Sequence, residues 1–153
     1  YDFAVALDAM DQKSHYAFTP ILQELAAGNV IVNCARMSKN EKGLDGEYSV
    51  VDTGSLVSSR INDVTGYQLA DPFSPYKGFS VRGIEPLILE EYDENAVIQL
   101  WIQSAHHGLP VKEIACEDIH TGYVSEDEFL DREQDYYLAF IDSEKLLYPV
   151  QRD

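Results

Sequence analysis

Residues 28–34 are Gly-Asn-Val-Ile-Val-Asn-Cys, a helix-stop pair followed by a run of apolar and β-branched residues. Gly and Asn commonly end a helix, because both tolerate the left-handed backbone conformation found just after its last turn. A short apolar run rich in Val and Ile is typical of a strand that is buried in a sheet. The sequence therefore predicts a buried strand over residues 30–34.

A helix is predicted immediately before this strand. Phe18, Ile21, Leu22 and Leu25 recur at the spacing that places apolar residues on one face of a helix. Pro20 suits the first turn of a helix, which indicates a start near residue 19. Downstream, the apolar runs and turn residues predict strands over 48–51, 86–89 and 111–116 and helices over 55–63 and 93–107.

The C-terminal region has two apolar runs separated by four polar residues. Residues 136–141 and 146–150 are predicted to be strands, and residues 142–145 their hairpin loop. Ser125 and Glu128 form a capping-box pattern, which predicts a short helix that begins at Ser125 and precedes these two strands. We therefore expect one α+β domain over residues 1–153, with a small mixed or antiparallel sheet, two or three helices and a C-terminal β-hairpin.

Negative charge is concentrated in the second half of the chain. The formal net charge is −16; residues 1–84 hold ten acidic and seven basic side chains, whereas residues 85–153 hold seventeen acidic and four basic ones. Such an excess repels nucleic acids and anionic membranes, and it attracts basic proteins. Direct DNA binding and membrane binding are therefore not expected.

The segment from residue 113 to residue 144 has the highest density of acids, eleven against one base, with aromatic residues among them. Aromatic side chains contribute strongly to binding at protein interfaces. We predict that this segment binds a basic partner through Glu113, Glu117, Asp118, Glu126, Asp127, Glu128, Asp131, Glu133, Asp135, Tyr136 and Tyr137.

This charge pattern favours a non-catalytic inhibitor over an enzyme. Its acidic face would mimic DNA and block a nucleic-acid-handling protein, such as a nuclease, in the cytoplasm. DNA-mimicking antirestriction and anti-CRISPR inhibitors of phages, and immunity proteins that neutralise nucleases, have this small acidic character, which is an analogy of charge and not of ancestry. No cofactor is expected, and no nucleotide-binding or serine-nucleophile motif is present.

The alternative is a small enzyme with a His and carboxylate site. Its cleft would combine the turn-rich residues 65–83 with His106, His107 and His120, although their spacing matches no known metal motif. Cys34 beside Arg36 could act as a nucleophile, or it could be a buried structural residue. A bond between Cys34 and Cys116 stays open, because the sequence does not give their separation.

Overall fold

Strand β2 (Ile31–Lys39) is the central strand of the sheet, because both of its edges are paired with other strands. The structure, a computed structural model, describes residues 2–8, 13–39, 48–50, 55–120 and 132–151. Within these ranges the other strands are β1 (Phe3–Ala6), β3 (Tyr48–Val50), β4 (Lys77–Ser80) and β5 (Val111–His120). The helices there are α1 (Phe18–Ala26), which follows a 3-10 turn, α2 (Leu56–Thr65), α3 (Asp93–His106) and α4 (Gln134–Leu147).

The strands form one mixed sheet. Strand β5 runs parallel to β2 along one edge, and β4 and β3 pair with successive parts of the other edge in antiparallel orientation. Strand β1 lies outside β4 and is antiparallel to it. The α+β class and the mixed sheet are confirmed.

The two faces of β2 are covered by different helices. Successive residues of a strand point to opposite faces, and Ile31 and Val32 accordingly belong to separate apolar clusters. Ile31 packs with residues of α2, α3 and α4, which include Trp101 and Ile141. Val32 packs with residues of α1 such as Ile21. The sheet is therefore enclosed by three helices on one face and by one on the other.

The two cysteines form a disulfide that joins the parallel strands β2 and β5. Cys34 is bonded to Cys116, and the Cα atoms are 6.1 Å apart. Both residues are buried in the cluster on the α1 side of the sheet. The bond left open by the sequence is present in the structure.

The predicted C-terminal hairpin is wrong, because α4 runs through the residues assigned to its loop and to most of its two strands. Tyr137 and Ile141, four residues apart, point into the core with Glu144 one turn later, which is helical periodicity. Asp135 in the first turn and Lys145 in the last complement the helix dipole. With α4 the described residues contain four α-helices, where two or three were predicted.

The predicted strand at 86–89 is also wrong. Residues 87–92, which we call the strap, follow a turn at residues 81–86 and have no strand pairing. The side chain of Gln103 accepts a hydrogen bond from the Ile88 N–H and donates one to its carbonyl oxygen, both at 2.7 Å. Gln99 Oε1 accepts hydrogen bonds from the N–H groups of Glu90 and Glu91 at 3.0 and 3.1 Å. Side chains of α3 thus replace the neighbouring strand that a sheet would provide.

Candidate functional site

Helices α3 and α4 run in the same direction, so their N-termini lie together. At the N-terminal end, Asn95 Nδ2 donates a hydrogen bond to the Tyr136 hydroxyl at 2.8 Å. At the C-terminal end, His106 Nδ1 lies 2.8 Å from the carbonyl oxygen of Pro149. The residues that begin the two helices therefore share one surface, although they are about forty residues apart in the sequence.

This shared surface is acidic and aromatic, and we call it the acidic junction. Tyr92 and Tyr136 are 83% and 53% exposed there. Negative charges at a helix N-terminus are stabilised by the helix dipole, and two N-termini meet at this surface. The acids of the junction come from the strap, from α3 and from the start of α4: Glu90, Glu91, Asp93, Glu94, Glu133 and Asp135.

The ion pairs that the structure shows do not involve the carboxylates of the junction, although Arg132 lines a surface pocket together with Glu133 and Asp135. Among the described residues these pairs are Arg36–Asp71 and Arg60–Asp142, and neither includes an acid of the junction. The pKa of Tyr137 is raised to about 12, first by burial and then by the charges of Glu94 and Glu133. Glu94 of α3 and Glu133 at the start of α4 thus both act on the Tyr137 hydroxyl, which indicates that the acids of the two helix starts lie close together.

Glu144 of α4 lies within reach of the charges of Glu90 and Glu91 and is buried, with 5% of its surface exposed. Its Oε1 accepts a hydrogen bond from Gln99 Nε2 at 3.3 Å, whereas its Oε2 has no hydrogen-bond partner. Burial raises the pKa of Glu144, and the charges of Glu91 and Glu90 raise it further against the lowering effect of the Gln99 hydrogen bond. The fold therefore favours the protonated form of Glu144 more than solvent does.

We expect Glu144→Gln to be more stable than the wild type at neutral pH, by a few degrees in Tm. The wild-type carboxyl group contributes fully to stability below its ordinary pKa of 4.5. That contribution is lost as the pH rises through the raised pKa of the folded state. Thermal melts of both proteins between pH 4 and pH 8 should diverge as the pH rises. Two Tm curves that stay parallel would contradict this account of Glu144.

Glu113, a predicted binding residue, lies away from the junction and is already used within the fold. Its Oε1 accepts a hydrogen bond from the Ala70 N–H at 2.8 Å, and its Oε2 accepts one from Asn33 Nδ2, also at 2.8 Å. Glu113 is near the start of β5, which follows the C-terminus of α3. The fourteen residues of α3, about 20 Å of helix, separate that end from the junction. Glu113 therefore holds the 65–83 segment on the sheet.

The other predicted binding residues fall into four groups, of which the last lies outside the described residues. Glu133, Asp135 and Tyr136 lie in the junction, whereas Tyr137 is 4% exposed and belongs to the core. The backbone of Glu117 and Asp118 is in β5, and their side chains lie outside what is described. The remaining four also lie outside the described residues: Glu126, Asp127, Glu128 and Asp131.

The groups proposed for a cysteine nucleophile are engaged in other interactions. The Cys34 sulfur is bonded to Cys116. The Arg36 guanidinium binds Asp71 through Nε at 2.8 Å and through a second nitrogen at 2.9 Å. This ion pair is buried, so the cation that could have activated the thiol is neutralised.

The segment 65–83, proposed as an enzyme cleft with the histidines, packs on the core. Trp101 Nε1 donates a hydrogen bond to the carbonyl oxygen of Pro72 at 3.0 Å, and the Tyr67 ring meets Trp101 edge to face. His106 and His107 are exposed, and the His120 side chain lies outside the described part. Among the residues that are described, no three His, Cys, Asp or Glu side chains are grouped to hold a metal ion.

Sequence reasoning missed the strap and the start of α3 as parts of the site. The acids at 90–94 are visible in the sequence, but a surface turn explains them equally well. The signal that could have found them is the helical spacing of Tyr137, Ile141 and Glu144. A helix there would have shown two acid-rich helix starts able to pack side by side.

Comparisons of the chain with protein-family models, with curated proteins and with solved structures found no match. Within the ranges described, no helix combines the length and the apolar character that crossing a bilayer requires. The acidic junction is therefore the feature that carries the proposed function.

Proposed function

We propose that this protein is a non-catalytic inhibitor whose acidic junction binds a basic surface of a nucleic-acid-handling protein. The observation that carries the proposal is the meeting of two acidic helix starts around the exposed Tyr92 and Tyr136. Like charges held close together cost stability, so their assembly on one surface favours a role in binding. Lys and Arg side chains that otherwise contact phosphates are the complementary groups.

The two tyrosines distinguish this surface from a merely solubilising one. Tyrosine offers a large rigid contact area with a polar tip, and aromatic residues are enriched where binding energy is concentrated. Acids around them would orient a basic partner and accelerate its encounter. The inhibitor would then occupy the groove that nucleic acid normally fills, which is the DNA-mimicking role expected from the charge.

The proposal is tested with a labelled basic peptide, Lys-Arg-Lys-Ala-Lys-Arg-Lys, and a duplex DNA oligonucleotide. We expect the peptide to bind in 20 mM salt and to bind much more weakly in 200 mM salt, because its charged contacts are screened. The protein should displace the peptide from the DNA without binding DNA itself. Failure to bind the peptide at low salt, or binding of DNA, would count against the proposed function. Capture from the native host at both salt concentrations would then identify the partner.

A cytoplasmic site of action is part of the proposal, and the Cys34–Cys116 pair makes it testable. Structural disulfides persist mainly in oxidising compartments, whereas cytosolic thiols are kept reduced. The structure shows the pair in its oxidised, disulfide-bonded form, so a cytoplasmic site of action requires the bond to be reduced in the cell. Cells quenched rapidly in acid and alkylated should then yield protein with two modified cysteines. Protein recovered with the bond intact would instead place it in an oxidising compartment.

A further inference from the structure

A cavity of about 540 Å³ opens between the strap, α3 and β4. This volume is within the range typical of ligand-binding pockets. Its walls are contributed by all three elements and are largely apolar: Phe79, Ile84, Leu87, Leu89, Val97 and Leu100. The hydrogen bonds of Gln103 and Gln99 to the strap hold one wall in place, so the pocket is formed before any partner arrives.

Lys77 is the charged residue in the lining, and its ammonium group interacts with neighbouring groups of the fold. It donates a hydrogen bond to the carbonyl oxygen of Ser74 and lies 5.5 Å from the centroid of the Trp101 ring. Long charged side chains commonly cover apolar surface with their methylene groups while the charge is held at the tip. Lys77 is therefore compatible with an apolar interior.

The rim of the pocket continues directly into the acidic junction. Leu89 of the wall is followed by Glu90 and Glu91, and Val97 of the wall comes one helical turn after Asp93. An apolar hollow with a negative rim repels anionic ligands and suits an apolar group carried between cations. Protein interfaces often concentrate their affinity in such an arrangement, in which an anchor side chain fills a pocket surrounded by polar contacts.

We propose that this pocket receives an apolar side chain, such as Leu or Phe, from a segment of the basic partner that carries Lys or Arg on both sides of it. The inference rests on the proposed function and adds the chemistry of the partner segment. The acids at the rim bind the flanking cations, and the pocket selects the residue between them.

The test compares peptides that differ only in the central residue of Lys-Arg-Lys-X-Lys-Arg-Lys. With X as Leu or Phe we expect binding about tenfold tighter than with Ala, because additional apolar surface is buried. A third probe, Ser-Gly-Ser-Leu-Ser-Gly-Ser, should not bind, since it has no cations for the rim. Fluorescence anisotropy at 20 mM salt measures all of these affinities.

Variants of the pocket separate its contribution from that of the charges. Ala96 lines the pocket, so Ala96→Phe should fill it, abolish the preference for Leu and leave the affinity of the Ala peptide unchanged. Ala139→Phe adds the same group at an exposed position of α4 and should keep the preference. Leu89→Ser, on the strap, removes an apolar side chain from the pocket wall without adding bulk. It should reduce the preference for the Leu peptide even if Ala96→Phe fails to fold.

The outcomes distinguish the two proposals. Equal affinity for the Leu and Ala peptides, or a preference for Leu that survives both pocket variants, would overturn the anchor while leaving the acidic junction as a binding surface. Tight binding of the uncharged Leu peptide would show that the pocket takes a neutral apolar ligand, which also overturns it. No binding of any basic peptide would overturn both the anchor and the proposed function.

Discussion

Asp71→Asn is expected to lower the free energy of unfolding by about 3–5 kcal/mol, because it leaves the Arg36 guanidinium buried without its counter-ion. Asp71 is fully buried, and the Arg36 side chain is 10% exposed. The Asp71 carboxylate accepts two hydrogen bonds from the guanidinium and a third from the Arg36 N–H at 3.0 Å. Asparagine keeps the volume of the side chain, so the loss reports the charge and not a cavity.

Asp142→Asn is the matched control for that substitution. It breaks the ion pair between Arg60 and Asp142, whose side chains are 37% and 58% exposed. Solvent screens a pair of this kind, and its loss should cost less than about 1 kcal/mol. Urea denaturation measures both variants against the wild type. Equal losses in the two variants would show that the Arg36–Asp71 pair has no special role in holding the 65–83 segment to β2.

The elements that could be predicted are those whose signals are local. Residues 28–34 predicted β2 because the helix stop and the β-branched run are both contained in seven residues. Helix α2 begins where Ser55 accepts a hydrogen bond from the Ser58 N–H and ends at Gly66 with φ 79°, and both residues mark these limits in the sequence. Such signals depend on the backbone and not on tertiary contacts.

The elements that were wrongly predicted depend on contacts with distant residues. The apolar run at 136–141 fits a strand as well as a helix, and the packing of Tyr137 and Ile141 in the core decides between them. The strap has strand-like composition, but Gln103 of α3 satisfies the backbone of Ile88 in place of a strand. No pattern within either segment contains that information.

The candidate site could be predicted only in part for the same reason. The density of acids and aromatics is visible in the sequence, and three of the predicted residues lie on the acidic junction: Glu133, Asp135 and Tyr136. It does not predict that the acids of 90–94 join them, because that requires α3 and α4 to run in the same direction. The carboxylate of Glu113 accepts hydrogen bonds from Ala70 and Asn33, which are distant in the sequence, so its structural role could not be predicted.

Charge reversal in the acidic junction is expected to have the largest effect on binding. Glu91→Lys with Asp135→Lys places one cation on the strap and one in the first turn of α4, at positions that are exposed. Repulsion of the partner's Lys and Arg side chains should lower the affinity for the basic peptide by on the order of 100-fold. Thermal melts of this variant and of the wild type check that the fold is retained, because neither carboxylate is in an ion pair between described residues.

A second binding surface is tested by reversing the predicted residues outside the described ranges. Glu126, Asp127, Glu128 and Asp131 changed together to Lys are expected to abolish partner binding, because the sequence predicts that these acids contact the basic partner. Unchanged affinity in this variant would confine the binding surface to the junction and would remove the segment from the proposed inhibitor surface.

The measurement that most directly tests the acidic junction is the affinity of Lys-Arg-Lys-Ala-Lys-Arg-Lys for two double variants of equal net charge. One is Glu91→Lys with Asp135→Lys. The other is Asp2→Lys with Asp63→Lys, at two exposed positions: Asp2 directly precedes β1, and Asp63 lies on α2. Each pair raises the net charge of −16 by the same amount. We predict a loss on the order of 100-fold for the first pair and less than about threefold for the second. Equal losses would contradict a localised binding site, because they would show that only the total charge matters.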